Sequence, residues 1–226
     1  GGRLRPDGKV RLRRVFPHAP GAERRGYRWP RARMVSANTS PALEWLWRIL
    51  RDTRHPQVLD CGPVWKATVD VLLRRGAKVH VADLISAVLE SDPRLWNHTP
   101  KTRIFRPEVL LANLPAIPEA SLTAVFAWHL LDLVPHEALA PLVSRLFGLL
   151  EPGGALFCLL REPYLPAGAE TMWWFQNLTL LGTSGEGARP FPYPALTNRE
   201  MERLVAPGSV KTFLTRSGRR EVLALK

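Results

Sequence analysis

The chain has 226 residues, 46% of them hydrophobic, and a formal net charge of +12. This length and apolar content predict one sizeable core and exclude a wholly disordered chain. No apolar run approaches the roughly 20 residues that a membrane helix needs, so we expect a cytoplasmic protein, with organellar import through the arginine-rich N-terminus as an open alternative.

Most of the charge lies in residues 1–37, which we predict to be a basic N-terminal arm with a small hairpin around Pro6-Asp7-Gly8. The arm holds 11 Lys and Arg against two acids, so that 11 − 2 = +9 of the net charge belongs to it. Because neutralised phosphates release condensed counterions, RNA or a ribonucleoprotein is the expected partner. A processed targeting segment and a solubilising tail are the alternatives. The candidate nucleic-acid-binding residues are Arg11, Arg13, Arg14, Arg24, Arg25, Arg28, Arg31 and Arg33.

The rest of the chain is arranged around a strand–helix–strand unit. A helix begins before it at Ser40, a favourable N-cap residue, with Pro41 in the first helical position. A short apolar run that ends in an acid and a glycine is typical of a buried parallel strand, and apolar residues spaced by three and four indicate the helix after it. The unit comprises a strand at 57–61, a helix at 64–75, a strand at 78–82 and Asp83 at its tip.

The second half of the chain continues this alternation of strands and helices. Apolar periodicity, prolines and glycines set the boundaries of each element. The predicted elements are a helix at 85–90, a third strand at 101–105, a fourth strand at 123–128, a helix at 135–150, a strand at 155–160, a helix at 199–205 and two strands at 209–215 and 220–225.

Four motifs in this order carry a resemblance to a known family. They are VLDCG at the first strand, VADL at the second, a leucine-proline loop, and LFGLLEPGGALFCLL. Together they resemble the class I S-adenosylmethionine-dependent methyltransferases. The resemblance implies an α/β, Rossmann-like methyltransferase fold over residues 38–226, in which a mostly parallel seven-stranded sheet has an antiparallel last strand and helices on both faces.

The cofactor that this resemblance implies is S-adenosylmethionine. An acid at the tip of the second strand, Asp83, can take both ribose hydroxyls, and Asp60 and Gly62 are placed for the amino-acid tail. The alternatives are a helix-capping role for Asp60 and a solvated strand end for Asp83. The sequence departs from the family pattern at Val64, where the family has a glycine, and at Leu110 and Thr123, where it has acids.

Candidate groups for chemistry follow the fourth strand. His129 can deprotonate a hydroxyl or an amine near neutral pH, and Asp132 and His136 share its side of the sheet. The alternative is a histidine that only satisfies a local backbone group. Neither cysteine belongs to a metal-ligand pattern, so no metal is expected.

Residues 163–195 form an insertion rich in aromatic residues. Such an insertion can act as a lid over the acceptor site, in which the glycines of residues 182–187 would permit motion, or it can bind a protein partner. The plainer expectation is that Trp173, Phe175, Leu178 and Leu181 pack one face of a helix onto the sheet.

Two functions from different classes remain open. The first is an S-adenosylmethionine-dependent methyltransferase of unknown acceptor, associated with RNA or a ribonucleoprotein through the arm. The alternative is a catalytically inactive methyltransferase-like protein that serves as an RNA- or protein-binding module. The intact Asp60, Gly62 and Asp83 favour the enzyme. Four departures from the family pattern favour the binding module: Val64, Lys66, Leu110 and Thr123. A dinucleotide oxidoreductase is a distant third, because no G-x-G-x-x-G follows the first strand.

Overall fold

The computed structural model describes residues 36–99, 102–162, 169–170, 172–184, 188–215 and 219–226. The hairpin and the arginines predicted for the N-terminal arm lie outside these residues, as do residues 185–187 of the glycine-containing stretch. The helices are α1 (Pro41–Ile49), α2 (Lys66–Arg74), α3 (Leu84–Leu89), α4 (Pro107–Leu111), α5 (Leu130–Leu133), α6 (His136–Gly148) and α7 (Asn198–Val205). The strands are β1 (Ser36–Thr39), β2 (Gln57–Asp60), β3 (Lys78–Val81), β4 (Trp96–His98), β5 (Arg103–Phe105), β6 (Leu122–Trp128), β7 (Leu150–Leu160), β8 (Ala169–Glu170), β9 (Trp173–Phe175), β10 (Leu180–Thr183), β11 (Ala188–Arg189), β12 (Ser209–Leu214) and β13 (Arg220–Leu225).

The main sheet has six strands in the order β12-β13-β7-β6-β2-β3. Strands β3, β2, β6 and β7 are parallel, and β13 runs antiparallel to both of its neighbours. The predicted α/β, Rossmann-like methyltransferase fold is therefore confirmed, including its mostly parallel sheet and antiparallel last strand. The described sheet has six strands where we expected seven.

The missing strand is the predicted third one. Residues Arg103–Phe105 do form a strand, but it pairs antiparallel with Trp96–His98 in a separate hairpin. At one end of this hairpin the Thr99 amide donates to the Thr102 carbonyl at 2.9 Å. The Trp96 ring also meets Phe105 edge-on, with 5.0 Å between ring centroids. Residues Arg103–Phe105 therefore pair with β4 instead of β3. Strand β3 is an edge strand of the main sheet.

Helices lie on both faces of the sheet, as two successive residues of β13 show. The Glu221 carboxylate accepts from the Ser40 hydroxyl at 2.7 Å and from the Ala42 amide at 3.1 Å, both at the start of α1. The Arg220 guanidinium instead donates to Asn198 at the start of α7. Because successive side chains of a strand point to opposite faces, α1 and α7 pack on opposite sides. The predicted start of α1 is confirmed, since the Ser40 hydroxyl accepts from the Leu43 amide.

The insertion forms strands where we expected one face of a helix. Strands β9 and β10 make a hairpin that joins β1 in a three-stranded sheet. Asn177 fixes the turn, because its side-chain oxygen accepts from the amides of Thr179 and Leu180. An asparagine that bonds its own downstream backbone in this way favours a turn over a helix. Trp173, Phe175 and Leu181 are buried, so these three residues pack inward as the plainer expectation had it, but from strands.

Among the residues that the structure describes, no helix is both long and apolar enough to cross a membrane.

Candidate functional site

The carboxyl ends of β2, β3 and β6 meet at the point where the strand order of the main sheet reverses. The chain passes from β2 to β3 on one side and later returns to β6 on the other. In open α/β sheets, ligands bind in the crevice outside such a switch point. The structure brings Asp60 and Asp83 to this edge, with Trp128 and His129 beside them. This edge is the candidate site.

Asp60 is held by groups of the protein itself. Its side chain is buried, and its Oδ1 accepts from the Trp128 indole at 2.7 Å and from the Gly62 amide at 3.0 Å. Burial raises the pKa of Asp60 to about 6, against the lowering effect of these two hydrogen bonds. The predicted alternative, a helix-capping acid, is wrong, because Trp65 occupies the N-cap position of α2.

The indole of Trp128 lies directly over Gly62. A Cβ added at Gly62 would stand 2.8 Å from Trp128 Cδ1 and Nε1, so only glycine allows the ring to approach the backbone so closely. Trp128 reaches this place because β6 shifts register between Phe126 and Trp128, and the Trp128 backbone has a φ of +50°. A bulky residue with positive φ is strained and persists only where its surroundings fix it.

The Trp128 indole is part of an aromatic cluster. We define this cluster as Trp47, Phe126, Trp128, Phe157 and Phe175. The Trp128 ring centroid lies 5.4 Å from that of Phe175 and 5.9 Å from that of Phe157, both in edge-to-face geometry. Aromatic pairs at these distances and angles add to the stabilisation from burial alone. The cluster packs around the Trp128 indole at the candidate site.

The insertion packs against α2, the helix that follows β2, and against Trp65. The Phe175 amide donates to the Thr68 hydroxyl of α2 at 3.0 Å, which ties β9 to the helix that follows β2. Next to it, Trp174 packs on Trp65, with ring centroids 4.8 Å apart. A Cβ at Gly182 would lie 2.5 Å from the Trp174 ring, so this strand also needs glycine. The insertion therefore covers the edge of the sheet with its own aromatic side chains.

Asp83 is half-buried and caps α3. Its Oδ1 accepts from the Ser86 amide at 2.8 Å. Burial raises the pKa of Asp83, while its hydrogen bonds with Ser86 lower it. Asp83 lies at the tip of β3 as the sequence predicts, but it caps a helix instead of being a freely solvated strand end.

His129 and Asp132 form a buried pair at the start of α5, each 2% exposed. The His129 Nδ1 and the Asp132 Oδ2 are 3.0 Å apart, and the same carboxylate oxygen accepts from the Arg161 amide at 2.8 Å. The Phe191 ring covers the imidazole at 5.2 Å between centroids. The structure thus brings these two predicted residues together, beneath aromatic side chains.

Other positions weighed in the sequence have structural roles. His136 lies apart from the pair, on the surface, where its Nε2 is 3.3 Å from the Pro194 carbonyl oxygen. Leu110 is fully buried in the core. The Thr123 hydroxyl accepts from the Gln57 amide, which joins β6 to β2. The last two positions, where the family has acids, therefore contribute to the fold.

In this conformation Trp128 covers Asp60 and the backbone at Gly62, the two positions that the resemblance assigns to the amino-acid tail of an S-adenosyl nucleoside. Asp83 is the one predicted cofactor contact that is not fully buried. Two open surface pockets, of about 440 Å³ and 230 Å³, are lined by other residues. The described part of the chain also contains no group of three or more side chains that could hold a metal ion.

Sequence reasoning missed Trp128 as the residue that fills the site. Thr68 and Phe175, which fasten the insertion over it, were also missed as a pair, because they are 107 residues apart in sequence. One signal was available: a tryptophan at the end of the fourth strand, in a chain that has Val64 where the family has a glycine.

Known proteins similar to this chain are found among solved structures. No family model matches the chain, and no curated protein does. Solved structures do match. An S-adenosylmethionine-dependent methyltransferase from Mesorhizobium loti has 15% identity and a TM-score of 0.46, over 82% of this chain and 99% of that one.

Two further structures are similar in the same range. A putative methyltransferase from Thermobifida fusca has 16% identity and a TM-score of 0.46, over 81% of this chain and 78% of that one. The 1,6-didemethyltoxoflavin-N1-methyltransferase of Burkholderia thailandensis, with S-adenosylhomocysteine bound, has 17% identity and a TM-score of 0.43, over 82% and 76%. Identity at this level concerns the fold alone.

Proposed function

We propose that this chain is a methyltransferase-fold protein whose nucleoside crevice is filled by its own side chains, and that it works as a binding module. One observation carries the proposal: the Trp128 indole lies over Gly62 and donates to Asp60. The resemblance implies that Asp60 and Gly62 contact a ligand, and in this chain both contact Trp128 in the core instead. The same residues that favoured the enzyme in the sequence, Asp60 and Gly62, are those that hold Trp128.

The energy needed to open the crevice supports the binding module over the enzyme. Burying a tryptophan removes roughly 200 Å² from water, which at about 25 cal/mol/Å² contributes about 5 kcal/mol. The hydrogen bond to a carboxylate adds about 2 kcal/mol. Turning Trp128 out therefore costs about 7 kcal/mol, or about 10⁵-fold in an equilibrium constant. A site with an intrinsic dissociation constant of about 1 μM would then bind at about 0.1 M.

The partner that fits the sequence is RNA or a ribonucleoprotein inside the cell. This part of the proposal rests on residues 1–37, with their +9 of net charge, since 11 − 2 = +9. The remaining residues hold 21 Lys and Arg against 18 acids, so 21 − 18 = +3. A polyanion is therefore attracted chiefly to the arm.

A second candidate is an S-adenosylmethionine-dependent methyltransferase of unknown acceptor. Asp83 favours it, because this half-buried carboxyl stands where a ribose-binding acid is expected. His129 and Asp132 lie along the same sheet edge and would face the acceptor. This function requires a conformation in which Trp128 has left Asp60.

Calorimetric titration with S-adenosylhomocysteine separates the candidates. For the wild-type chain we expect no binding heat at millimolar ligand. Micromolar binding that is lost in Asp83→Ala, and kept in the control Asp52→Ala at an exposed acid, would overturn the binding-module proposal in favour of the enzyme. In Trp128→Ala the crevice is no longer filled, so this variant should bind the nucleoside more tightly than the wild type does. Circular dichroism of each variant confirms that it is folded.

A further inference from the structure

We propose that a second copy of this chain pairs with β12, so that two main sheets join across a two-fold axis. Strand β12 (Ser209–Leu214) is an edge strand, and among the described residues it pairs only with β13. Natural edge strands are commonly protected by prolines, bulges or outward-pointing charges. Strand β12 is six residues long, regular in register, and contains no proline.

The direction of the backbone groups follows from the hairpin that joins β12 to β13. The Thr215 amide donates to the Arg219 carbonyl at 3.0 Å, and Thr215 continues the register in which Phe213 opposes Glu221. Along an antiparallel strand, successive residues direct their backbone N–H and C=O groups to opposite sides. The odd-numbered residues of β12 therefore direct these groups toward β13. Val210, Thr212 and Leu214 therefore direct their N–H and C=O groups outward, at the free edge.

One symmetric register gives all these groups a partner. When Thr212 lies opposite the partner's Thr212, Val210 lies opposite the partner's Leu214, and each of the three outward residues is in a hydrogen-bonded pair. The same register places Lys211 opposite the partner's Phe213. A shift of two residues would set Lys211 against the partner's Lys211, which is repulsive, and would leave Leu214 without a strand partner.

The side chains beside the edge fit this register. The Lys211 ammonium lies 4.8 Å from the centroid of the Trp45 ring and 5.7 Å from that of Phe213, so this lysine lies on aromatic rings. Opposite the partner's Phe213, the same charge would meet a second ring face, a contact that is favourable for a cation. On the other face of the strand, Leu214 is 74% exposed and would be covered by the partner's Val210. The opposite edge, β3, is shorter, and its four residues include Lys78 and His80.

The oligomeric state of the full chain tests this inference. Sedimentation velocity at high salt, on protein free of nucleic acid, should show a dimer. Thr212→Pro removes an outward N–H and leaves the bonds to β13 intact, because proline is tolerated where the amide faces away from the sheet. We expect this variant to be a monomer and the matched control Thr212→Val to remain a dimer. We take roughly 100 μM as the highest dissociation constant of a specific homodimer. A wild-type chain that is still monomeric at this concentration would overturn the proposal. A Thr212→Pro variant that stays dimeric would overturn it as well.

Cross-linking tests the register. The native cysteines, Cys61 and Cys158, are buried and free. Opposed residues of a hydrogen-bonded pair have Cα atoms about 5.5 Å apart, within the range of a disulfide. A mild oxidant should therefore link two chains of Thr212→Cys, whereas Lys211→Cys, displaced from its own symmetry mate, should link poorly. Equal linking of both variants, or linking of Lys211→Cys alone, would exclude the register.

Discussion

Replacement of Asp60 by Asn removes a buried negative charge and keeps an acceptor oxygen for Trp128 and Gly62. If the carboxyl belongs to the core, the neutral side chain should serve that core better than the ionised one at neutral pH. We therefore expect Asp60→Asn to raise the free energy of unfolding at pH 7.

The pKa of Asp60 gives the magnitude. Burial raises it from 3.8 to about 6, and each unit corresponds to 1.36 kcal/mol, so the folded state prefers the protonated form by about 3 kcal/mol. Because the folded-state pKa is raised, the folded state binds more protons between these values than the unfolded state does. The stability that Asp60 contributes is therefore complete below about pH 4 and is lost as the pH rises through about 6.

Guanidinium unfolding between pH 4 and pH 8, followed by circular dichroism, measures this effect. The gain of Asp60→Asn over the wild type should be near zero at pH 4 and approach about 3 kcal/mol above pH 7. Asp52→Asn, at an exposed acid, is the matched control and should follow the wild type at every pH. An Asp60→Asn variant that is less stable than the wild type at pH 7, with an unchanged pH profile, would refute the reasoning.

Three further predictions concern Gly62, Glu221 and the basic N-terminal arm. Gly62→Ala, which sets a Cβ 2.8 Å from the Trp128 ring, should lower the unfolding free energy by about 1–3 kcal/mol in guanidinium unfolding, whereas Gly148→Ala, with open space around its Cβ, should not. Glu221→Ala leaves a buried arginine and the start of α1 without their partner, so it should lower the unfolding free energy by about 3–5 kcal/mol in the same assay. A decrease below about 1 kcal/mol would show that the ion pair is dispensable. Deletion of residues 1–35 should weaken RNA binding and flatten the dependence of log K on log salt by about one unit per lost phosphate contact; an unchanged slope in filter binding would remove the arm from the account.

Much of the fold follows from local pattern. The unit β2–α2–β3 was predicted because a buried parallel strand and an amphipathic helix have different periods. The start of α1 was predicted because Ser40 and Pro41 have specific roles at a helix N-terminus. The position of Asp83 was predicted as well, because it comes directly after the predicted second strand. These features depend on residues that are close together in the sequence.

The misses depend on strand pairings and backbone geometry that apolar periodicity does not show. Residues 103–105 have strand character, but their pairing with β4 instead of β3 is decided by contacts such as that of Trp96 with Phe105. The segment that begins at Trp173 was expected in a helix because Phe175, Leu178 and Leu181 follow one another at a spacing of three. The side-chain bonds of Asn177 favour a hairpin instead. The position of Trp128 depends on a register shift and a positive φ, and neither leaves a mark in the local sequence.

The central claim is that the Trp128 indole occupies the crevice whether or not a nucleoside is present. Fluorine NMR of the chain labelled with 5-fluorotryptophan measures this directly, with the Trp128 signal assigned from its loss in Trp128→Phe. We predict a single shifted resonance that stays in place when S-adenosylhomocysteine is added to millimolar concentration. A Trp128 resonance that moves in a saturable way with micromolar ligand would contradict the account.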